Sequence, residues 1–333
     1  MAGVVLIINW SQLCPTPDRC DFSIVEQVLS YWRTRGKRVI LAVATVGYPY
    51  RSVEGGNPHY VSATPDWVLD QIQTYSADSL ALGRIGNQTR ATVRFPSYSD
   101  PRFAKLIAAL VQQLSRFDGH VALSQIRIST GFLTEDNPSP AGPKWLIPGY
   151  TDLDWVAYCR QMANLFERNF HQTQLEFDFG VVALAYQRGG PAERLAVDRL
   201  VDHLIAQKTF LAFDGLQSSM VTSISPRAKQ EDEVPRIVHY LKIAGDKYNG
   251  AGLEAMVPIS DDRMQDVKSL VAVVKALKPS RLVLFPEAAG SLNRERRGAN
   301  EQNATATQWL DVQPNAATAN AHIHELLISL GYR

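Results

Sequence analysis

Two glutamates, Glu135 and Glu254, each stand where a strand-like run of residues gives way to a loop, far apart in the chain. Two carboxyl groups brought together from distant strands are the minimum needed to hydrolyse a glycosidic bond. One protonates the departing oxygen, and the other attacks the anomeric carbon or activates a water molecule. The pair therefore indicates carbohydrate chemistry, provided that the rest of the chain brings the two residues together.

Each glutamate also has a plainer interpretation. Glu135 could be a solvated acid in a polar loop, and Glu254 could be a buried carboxylate paired with an arginine. Glu254 lies among Gly, Leu, Ala, Met and Val, where a carboxylate is costly to bury without a partner, and this favours a functional role for it. Glu287, which follows the last predicted strand, is the reserve candidate for that role.

Strand-like and helix-like segments alternate along the chain. Each strand candidate is a short run rich in Val, Ile, Leu, Phe or Ala, which suits strands buried on both faces of a parallel sheet. The predicted strands cover residues 3–9, 38–45, 91–95, 122–130, 174–182, 209–214, 251–257 and 281–285. The predicted helices cover residues 22–35, a segment beginning at Thr64-Pro65-Asp66, and residues 100–117, 151–170, 191–208, 233–247, 262–277 and 315–330.

Eight strands, each followed by a helix, predict an α/β fold, a single (β/α)8 TIM barrel that covers residues 1–333 as one catalytic domain. A doubly wound Rossmann-like sheet is the alternative, but no G-x-G-x-x-G motif follows the first strand. Most loops that precede strands are short. The long loops follow strands, at 46–63, 131–150, 215–232 and 286–314. In a barrel such loops build the active-site face at the carboxyl ends of the strands.

Several motifs carry a resemblance that covers nearly the whole chain. They are Asn9-Trp10-Ser11-Gln12-Leu13 followed by a proline and Asp21-Phe22-Ser23, the strand-like run Gly36 to Val43, and the helix starts Pro65-Asp66-Trp67-Val68 and Tyr98 to Phe103. They resemble clan A glycoside hydrolases, the retaining barrels that include β-galactosidases, cellulases and mannanases.

The resemblance implies a role for each glutamate. In that clan the acid/base follows the fourth strand and the nucleophile the seventh, which implies Glu135 as the acid/base and Glu254 as the nucleophile. Many members carry an asparagine directly before the acid/base, where this chain has Thr134. That difference keeps an alternative open, a catalytically inactive barrel that binds carbohydrate.

Residues at or just after strand ends are candidates for substrate binding. Aromatic faces stack on pyranose rings, while amide, indole and guanidinium groups bind hydroxyls. Arg94 could also hold a catalytic carboxylate ionised, and Asp178 or Asp214 could orient a site residue. Ordinary packing or a structural ion pair is the competing interpretation for each. The predicted substrate-binding residues are Trp10, Tyr48, Arg94, Trp145, Tyr186, Asp214 and Glu287.

The amino-acid composition limits the classes of partner that the protein is expected to bind. The chain carries 34 basic and 33 acidic residues. This near-neutral balance gives no electrostatic reason to expect nucleic acid or an anionic membrane as a partner. The seven histidines are scattered, and neither a P-loop nor a G-x-S-x-G motif is present, so we expect no metal and no cofactor. The expected partner is a carbohydrate. No motif identifies the sugar or its linkage, endo or exo action, or the oligomeric state.

Three cysteines do not make a disulfide framework. Cys14 and Cys20 bracket a short loop and could pair in an oxidising compartment, although two unpaired loop residues are the simpler interpretation. Cys159 falls on a predicted helix and is expected to pack there. The chain begins directly with a strand-like run that is too short for the core of a signal peptide, so any export signal was removed or never existed. We expect a secreted or periplasmic protein whose signal is absent from this sequence, with a cytoplasmic protein as the alternative.

Overall fold

The computed structural model describes residues 3–46, 50–54, 57–78, 92–131, 134, 136, 138, 149–179, 182, 189–216, 240–241, 243–244, 251–255 and 280–283. The helices predicted at 262–277 and 315–330 lie outside these residues. The strands are β1 Gly3–Asn9, β2 Arg38–Ala44, β3 Tyr50–Glu54, β4 Asn57–Val61, β5 Thr74–Asp78, β6 Thr92–Pro96, β7 Leu123–Arg127, β8 Gln174–Phe179, β9 Phe210–Leu216, β10 Ala251–Ala255 and β11 Arg281–Val283.

Seven of these strands form one parallel sheet in the order β1-β2-β7-β8-β9-β10-β11. β1 and β2 pair along their whole length, from Gly3 opposite Arg38 to Asn9 opposite Ala44. Every residue of β2 after Arg38 is buried, as expected for a strand that is covered on both faces. The prediction of a parallel sheet with helices between its strands is confirmed.

The third predicted strand does not belong to this sheet. β6 pairs antiparallel with β5, and β2 pairs directly with β7, so the assignment of residues 91–95 to the parallel sheet is wrong. In β6 the exposed Arg94 alternates with the buried Phe95, a pattern typical of a half-exposed antiparallel strand. The helix predicted to begin at Thr64-Pro65-Asp66 is one short turn, Asp66–Leu69, and the chain then enters β5 at Thr74 and Tyr75, β-branched and aromatic residues that favour a strand.

Helices connect the strands, largely where the sequence predicts them. The helix predicted over residues 100–117 begins as that sequence favours: Asp100 caps it by accepting a hydrogen bond from the Arg102 backbone N–H at 2.9 Å, and Pro101 takes the first helical position. Of the segment 233–247, four residues are described and all are helical. The helices are α1 Trp10–Leu13, α2 Ser23–Thr34, α3 Asp66–Leu69, α4 Pro101–Leu114, α5 Asp152–Glu167 and α6 Pro191–Ala206, with a 3-10 turn at Ser115–Phe117.

A contact across the polar face shows that the sheet is strongly curved. The Arg281 Nη1 atom at the start of β11 donates hydrogen bonds to Gln125 on β7 and to Glu176 on β8. β11 and β7 are four positions apart in the sheet order, which in a flat sheet corresponds to about 19 Å at roughly 4.8 Å per strand. That distance exceeds the reach of an arginine side chain. The polar face therefore lies inside the curve.

The opposite face of the same strands is apolar and packs against the helices. On β8, Leu175, Phe177 and Phe179 alternate with the polar residues and join one buried cluster with Ile107 of α4 and Trp155 of α5. Burying an aliphatic or aromatic side chain of this size stabilises a fold by about 1.5–3 kcal/mol. The core between sheet and helices therefore fixes the position of the carboxyl ends of the strands.

The structure shows which of the three cysteines are bonded. Cys14 and Cys20 form a disulfide bond in the loop after β1, so the simpler interpretation of two unpaired residues is wrong. Cys159 is a free thiol, fully buried on α5, which confirms its packing role. Among the helices that the structure describes, none is long and apolar enough to cross a membrane.

Candidate active site

A line of charged and amide side chains covers the inner face of β7 and β8. The strands align Gln125 with Gln174 and Arg127 with Glu176, and each pair is joined by a side-chain hydrogen bond, at 2.9 and 2.8 Å respectively. Arg127 also contacts Asp178, with 2.9 Å between its Nη1 atom and the carboxylate. The face that would line the inside of a barrel is therefore held together by polar contacts rather than by aliphatic packing.

Four charges balance within this inner face. Arg127 and Arg281 carry two positive charges, and Glu176 and Asp178 carry two negative ones, with Arg127, Glu176 and Asp178 buried to at least 98%. Burial alone would raise the pKa of Glu176, but the charges of Arg127 and Arg281 and their hydrogen bonds outweigh it and lower that pKa. Glu176 is therefore ionised and anchors both guanidinium groups.

The loop after β7 carries an unusual backbone conformation at Thr134. This fully buried residue has a φ of 76°, in the left-handed region that a β-branched residue rarely adopts. Its backbone N–H donates to the Gly131 carbonyl at 3.3 Å, and Arg127 Nη1 lies 3.5 Å from its hydroxyl. Such conformations cost about 1–3 kcal/mol and cluster at active sites.

Asp136, two residues further on, is also fully buried. Its backbone N–H donates to the Asp178 carbonyl of β8 at 3.3 Å. Its own carbonyl accepts a hydrogen bond from the Trp155 indole Nε1 of α5 at 2.8 Å. The loop after β7 is thus fixed to both the neighbouring strand and the following helix. Glu135, which stands between these two anchored residues in the chain, lies outside the described residues.

Glu254 lies near the carboxyl end of β10, at an irregularity in the pairing with β9. Leu253 pairs with Phe213 and Ala255 with Leu216, so the two residues Asp214 and Gly215 lie opposite the single residue Glu254. Such bulges redirect side chains and are common beside active sites. On the other side, Glu254 pairs with Val283 of β11. The strand is thus aligned with its neighbours on both sides at this residue.

The carboxyl ends of β7 and β10 belong to the same edge of one parallel sheet, with β8 and β9 between them. In parallel α/β sheets this edge is where catalytic residues gather, because the loops that leave the strands meet there. The backbone of Glu254 and the buried residues on either side of Glu135 all belong to this edge.

The other predicted site residues are placed as follows. Trp10 begins α1 directly after β1 and is 2% exposed, in edge-to-face contact with Trp67 at 5.9 Å between ring centroids. Arg94 pairs with Asp70 at 2.8 Å and lies 3.7 Å from Asp66, in a partly exposed cluster on β6. Its predicted structural ion pair is therefore present. Outside the described residues lie Tyr48, Trp145, Tyr186 and Glu287.

Sequence reasoning overlooked Arg127, Glu176 and Asp136 as parts of this region. The first two had a signal in the sequence, since each is a charged residue flanked on both sides by apolar residues inside a predicted strand. Asp136 had none, because a polar residue in a polar loop predicts exposure. Among the described residues, no group of three His, Cys, Asp or Glu side chains is arranged to hold a metal ion.

Comparison with known proteins supports the fold. No family model matches the sequence, and no curated protein matches it. The catalytic domain of a β-amylase from Paenibacillus polymyxa is similar in structure, with a TM-score of 0.52, 12% identity and 85% of each chain covered. The chain shares its fold with a glycosidase. The resemblance to glycoside hydrolases that the sequence motifs indicated is thereby confirmed at the level of the fold.

Two further solved structures are similar at lower TM-scores. A β-galactosidase from the psychrophilic Marinomonas ef1 gives a TM-score of 0.47 at 12% identity, with 99% of this chain and 56% of that chain covered. Xylanase 10B from Thermotoga petrophila gives 0.46 at 11% identity, with 85% and 80% covered.

Proposed function

We propose that the protein is a retaining glycoside hydrolase that cleaves a β-linked oligo- or polysaccharide, built as a single (β/α)8 barrel. Glu254 is the nucleophile and Glu135 the acid/base. The observation that carries the proposal is the common edge of the sheet: Glu254 sits at a bulge near the end of β10, and Glu135 stands between two buried, anchored residues after β7. Similarity to the fold of the catalytic domain of a β-amylase supports the barrel architecture in this proposal.

The reaction proceeds by two displacements at the anomeric carbon. In the first, the Glu254 carboxylate forms a bond to that carbon while the bond to the glycosidic oxygen breaks, and Glu135 gives its proton to the departing oxygen. In the second, water attacks the same carbon, Glu135 takes its proton, and the bond to Glu254 breaks. Two inversions leave the sugar with its original configuration.

This mechanism requires different ionisation states of the two carboxyl groups. The nucleophile must be ionised and the acid/base protonated, and differing surroundings can separate two carboxyl pKa values in this way. Arg127, beside the loop after β7, pairs with Glu176 and Asp178.

The stereochemistry of hydrolysis and the site of covalent labelling test the proposal together. Purified protein is screened on β-linked glycans and aryl β-glycosides, the first-formed anomer is read by NMR, and a 2-fluoro glycoside traps the intermediate for peptide mass spectrometry. We expect the β-anomer first and a label on Glu254. Glu254→Gln should reduce turnover at least ~10⁴-fold, whereas the control Glu26→Gln, on the exposed face of α2, should not.

The other outcomes are equally informative. A label on Glu287 would move the nucleophile role to that residue. An α-anomer formed first would indicate inversion. Glycan binding without cleavage across the whole panel would favour an inactive carbohydrate-binding barrel.

We also propose that the protein works in an oxidising compartment, as expected for a secreted or periplasmic enzyme. The Cys14–Cys20 disulfide supports this, since disulfides persist mainly outside the cytosol. Thiol titration of protein isolated from its native source without reductant should find one free thiol per chain, that of Cys159 after unfolding. Three free thiols would contradict the proposal.

A further inference from the structure

The side chain of Asp136 ties together the two loops that leave β7 and β8. Its Oδ2 atom accepts a hydrogen bond from the backbone N–H of Val182, 2.9 Å away and 46 residues further along the chain. Together with the main-chain bonds to Asp178 and Trp155, this gives Asp136 fixed contacts to three separate segments. An isolated loop acid would have none of these contacts.

Burying this carboxylate is expensive, and a fully buried carboxylate in a loop points to a purpose other than solubility. Asp136 is 0% exposed, and its negative charge contributes, after the larger effect of burial, to raising the pKa of the neighbouring Cys159 thiol. Buried charges are retained only where hydrogen bonds and geometry compensate for lost hydration. Here the hydrogen bonds that compensate Asp136 also fix the position of the loop after β7.

The residue before Asp136 in the chain is Glu135. Consecutive Cα atoms are 3.8 Å apart, so a shift of Asp136 is transmitted directly to its neighbour. On the other side, Thr134 is held in its left-handed conformation with its side chain beside Arg127. Proton transfer requires donor and acceptor within about 2.6–3.2 Å, and a displacement of about 1 Å can reduce the rate ~100-fold.

We propose that Asp136 is a positioning residue that, through its bond to the Val182 N–H, holds the acid/base loop in the geometry required for proton transfer. The proposal rests on the assignment of Glu135 as acid/base. Asp136 touches no reacting atom in this scheme. Its removal should therefore impair the protonation of the leaving group more than the attack by the nucleophile.

Leaving-group dependence distinguishes this role from a general structural one. A dinitrophenyl β-glycoside departs without protonation, whereas a sugar or a methoxyphenyl leaving group requires it. For Asp136→Ala we expect kcat/KM to fall ~100-fold on the poor leaving group and less than ~3-fold on the dinitrophenyl glycoside. Azide should restore part of the activity of Glu135→Ala and little of that of Asp136→Ala, which retains its acid.

Asp118→Ala is the matched control. This carboxylate also fixes a loop through backbone N–H groups, but at the amino ends of β7 and β8. Removing the Asp118 carboxylate should leave the ratio of kcat/KM on the two substrates unchanged. Asp136→Asn keeps an acceptor oxygen for Val182 and should give a smaller loss with the same leaving-group dependence. It therefore decides the matter if the alanine variant does not fold.

The outcomes separate the two proposals. If Glu135→Ala shows the leaving-group dependence and both Asp136 variants lose activity uniformly or not at all, the positioning role is overturned while the mechanism stands. If Glu135→Ala itself shows no leaving-group dependence, the acid/base assignment is wrong.

Discussion

The two ends of strands β7 and β8 are built in different ways. Before the strands, the half-buried Asp118 accepts backbone hydrogen bonds from His171, Gln172 and Thr173, at 2.7–3.2 Å, and the adjacent Gly119 takes a left-handed φ of 75°. Towards their carboxyl ends, a threonine rather than a glycine takes a left-handed φ, and three charged side chains, Arg127, Glu176 and Asp178, are buried.

For β7 and β8, this difference indicates that the unfavourable features lie towards the carboxyl ends. Glycine adopts a left-handed φ without the steric penalty of a Cβ atom, so the amino ends are relaxed. A threonine in the same region and buried carboxylates are both unfavourable and persist only where surrounding contacts enforce them. The amino ends thus serve stability, and the carboxyl ends carry the features expected of a site.

The largest effect should follow from removing the buried guanidinium at the carboxyl ends. Arg127→Met removes the buried guanidinium that pairs with both Glu176 and Asp178 and should lower the free energy of unfolding by about 3–5 kcal/mol, measured by urea denaturation. Arg94→Met is the matched control, since that arginine is 42% exposed and its ion pairs should be worth less than about 1 kcal/mol.

The same variant has a predicted pH dependence. The folded-state pKa of Glu176 is lowered, so its contribution to stability is present above its unfolded value of about 4.3 and is lost as the pH falls through the folded value. The stability difference between wild type and Arg127→Met should therefore narrow below pH ~4. If Arg127→Met lost no more unfolding free energy at neutral pH than Arg94→Met does, the expected difference between the buried and the exposed ion pairs would be wrong.

Asp118→Asn should have an intermediate effect on stability and none on activity. Burial raises the pKa of Asp118, but the N–H groups of His171, Thr173 and Gln172 lower it further, so the net shift is downward. Its stabilisation is therefore present above about pH 3.9 and lost on acidification. We expect a loss of about 1–2 kcal/mol in thermal unfolding at pH 7 and less at pH 3. A specific loss of kcat would place a site function at the amino ends.

The smallest effects on stability should come from substituting Gly119 and Thr134, the residues with a left-handed φ on either side of β7. In Gly119→Ala the new Cβ would lie 2.5 Å from the Gln172 side-chain oxygen in an unfavourable conformation, and we expect a loss of about 1 kcal/mol. Thr134→Gly should change stability by less than ~0.5 kcal/mol, because relief of backbone strain offsets the lost burial. A large loss for Thr134→Gly would show that its conformation is not strained.

Much of the fold could be predicted because burial on both faces leaves a direct trace in sequence. Runs such as Val39 to Ala44 predicted parallel strands correctly, and Asp100-Pro101 predicted the start of α4. The error at residues 91–95 arose because a single five-residue strand does not record its partner. Pairing depends on distant segments, and the alternation of Arg94 with Phe95 was the only local sign.

The candidate site divides in the same way. Local patterns in the sequence were enough to predict a parallel sheet with helices between its strands and to single out two glutamates beside strand-like runs. Only contacts between distant segments bring Arg127, Glu176, Asp178 and Arg281 together inside one curved sheet. Such contacts also bury Asp136, in the loop after β7, against the segment that follows β8. Curvature and long-range hydrogen bonds bring together residues up to 156 positions apart, and no local pattern contains that information.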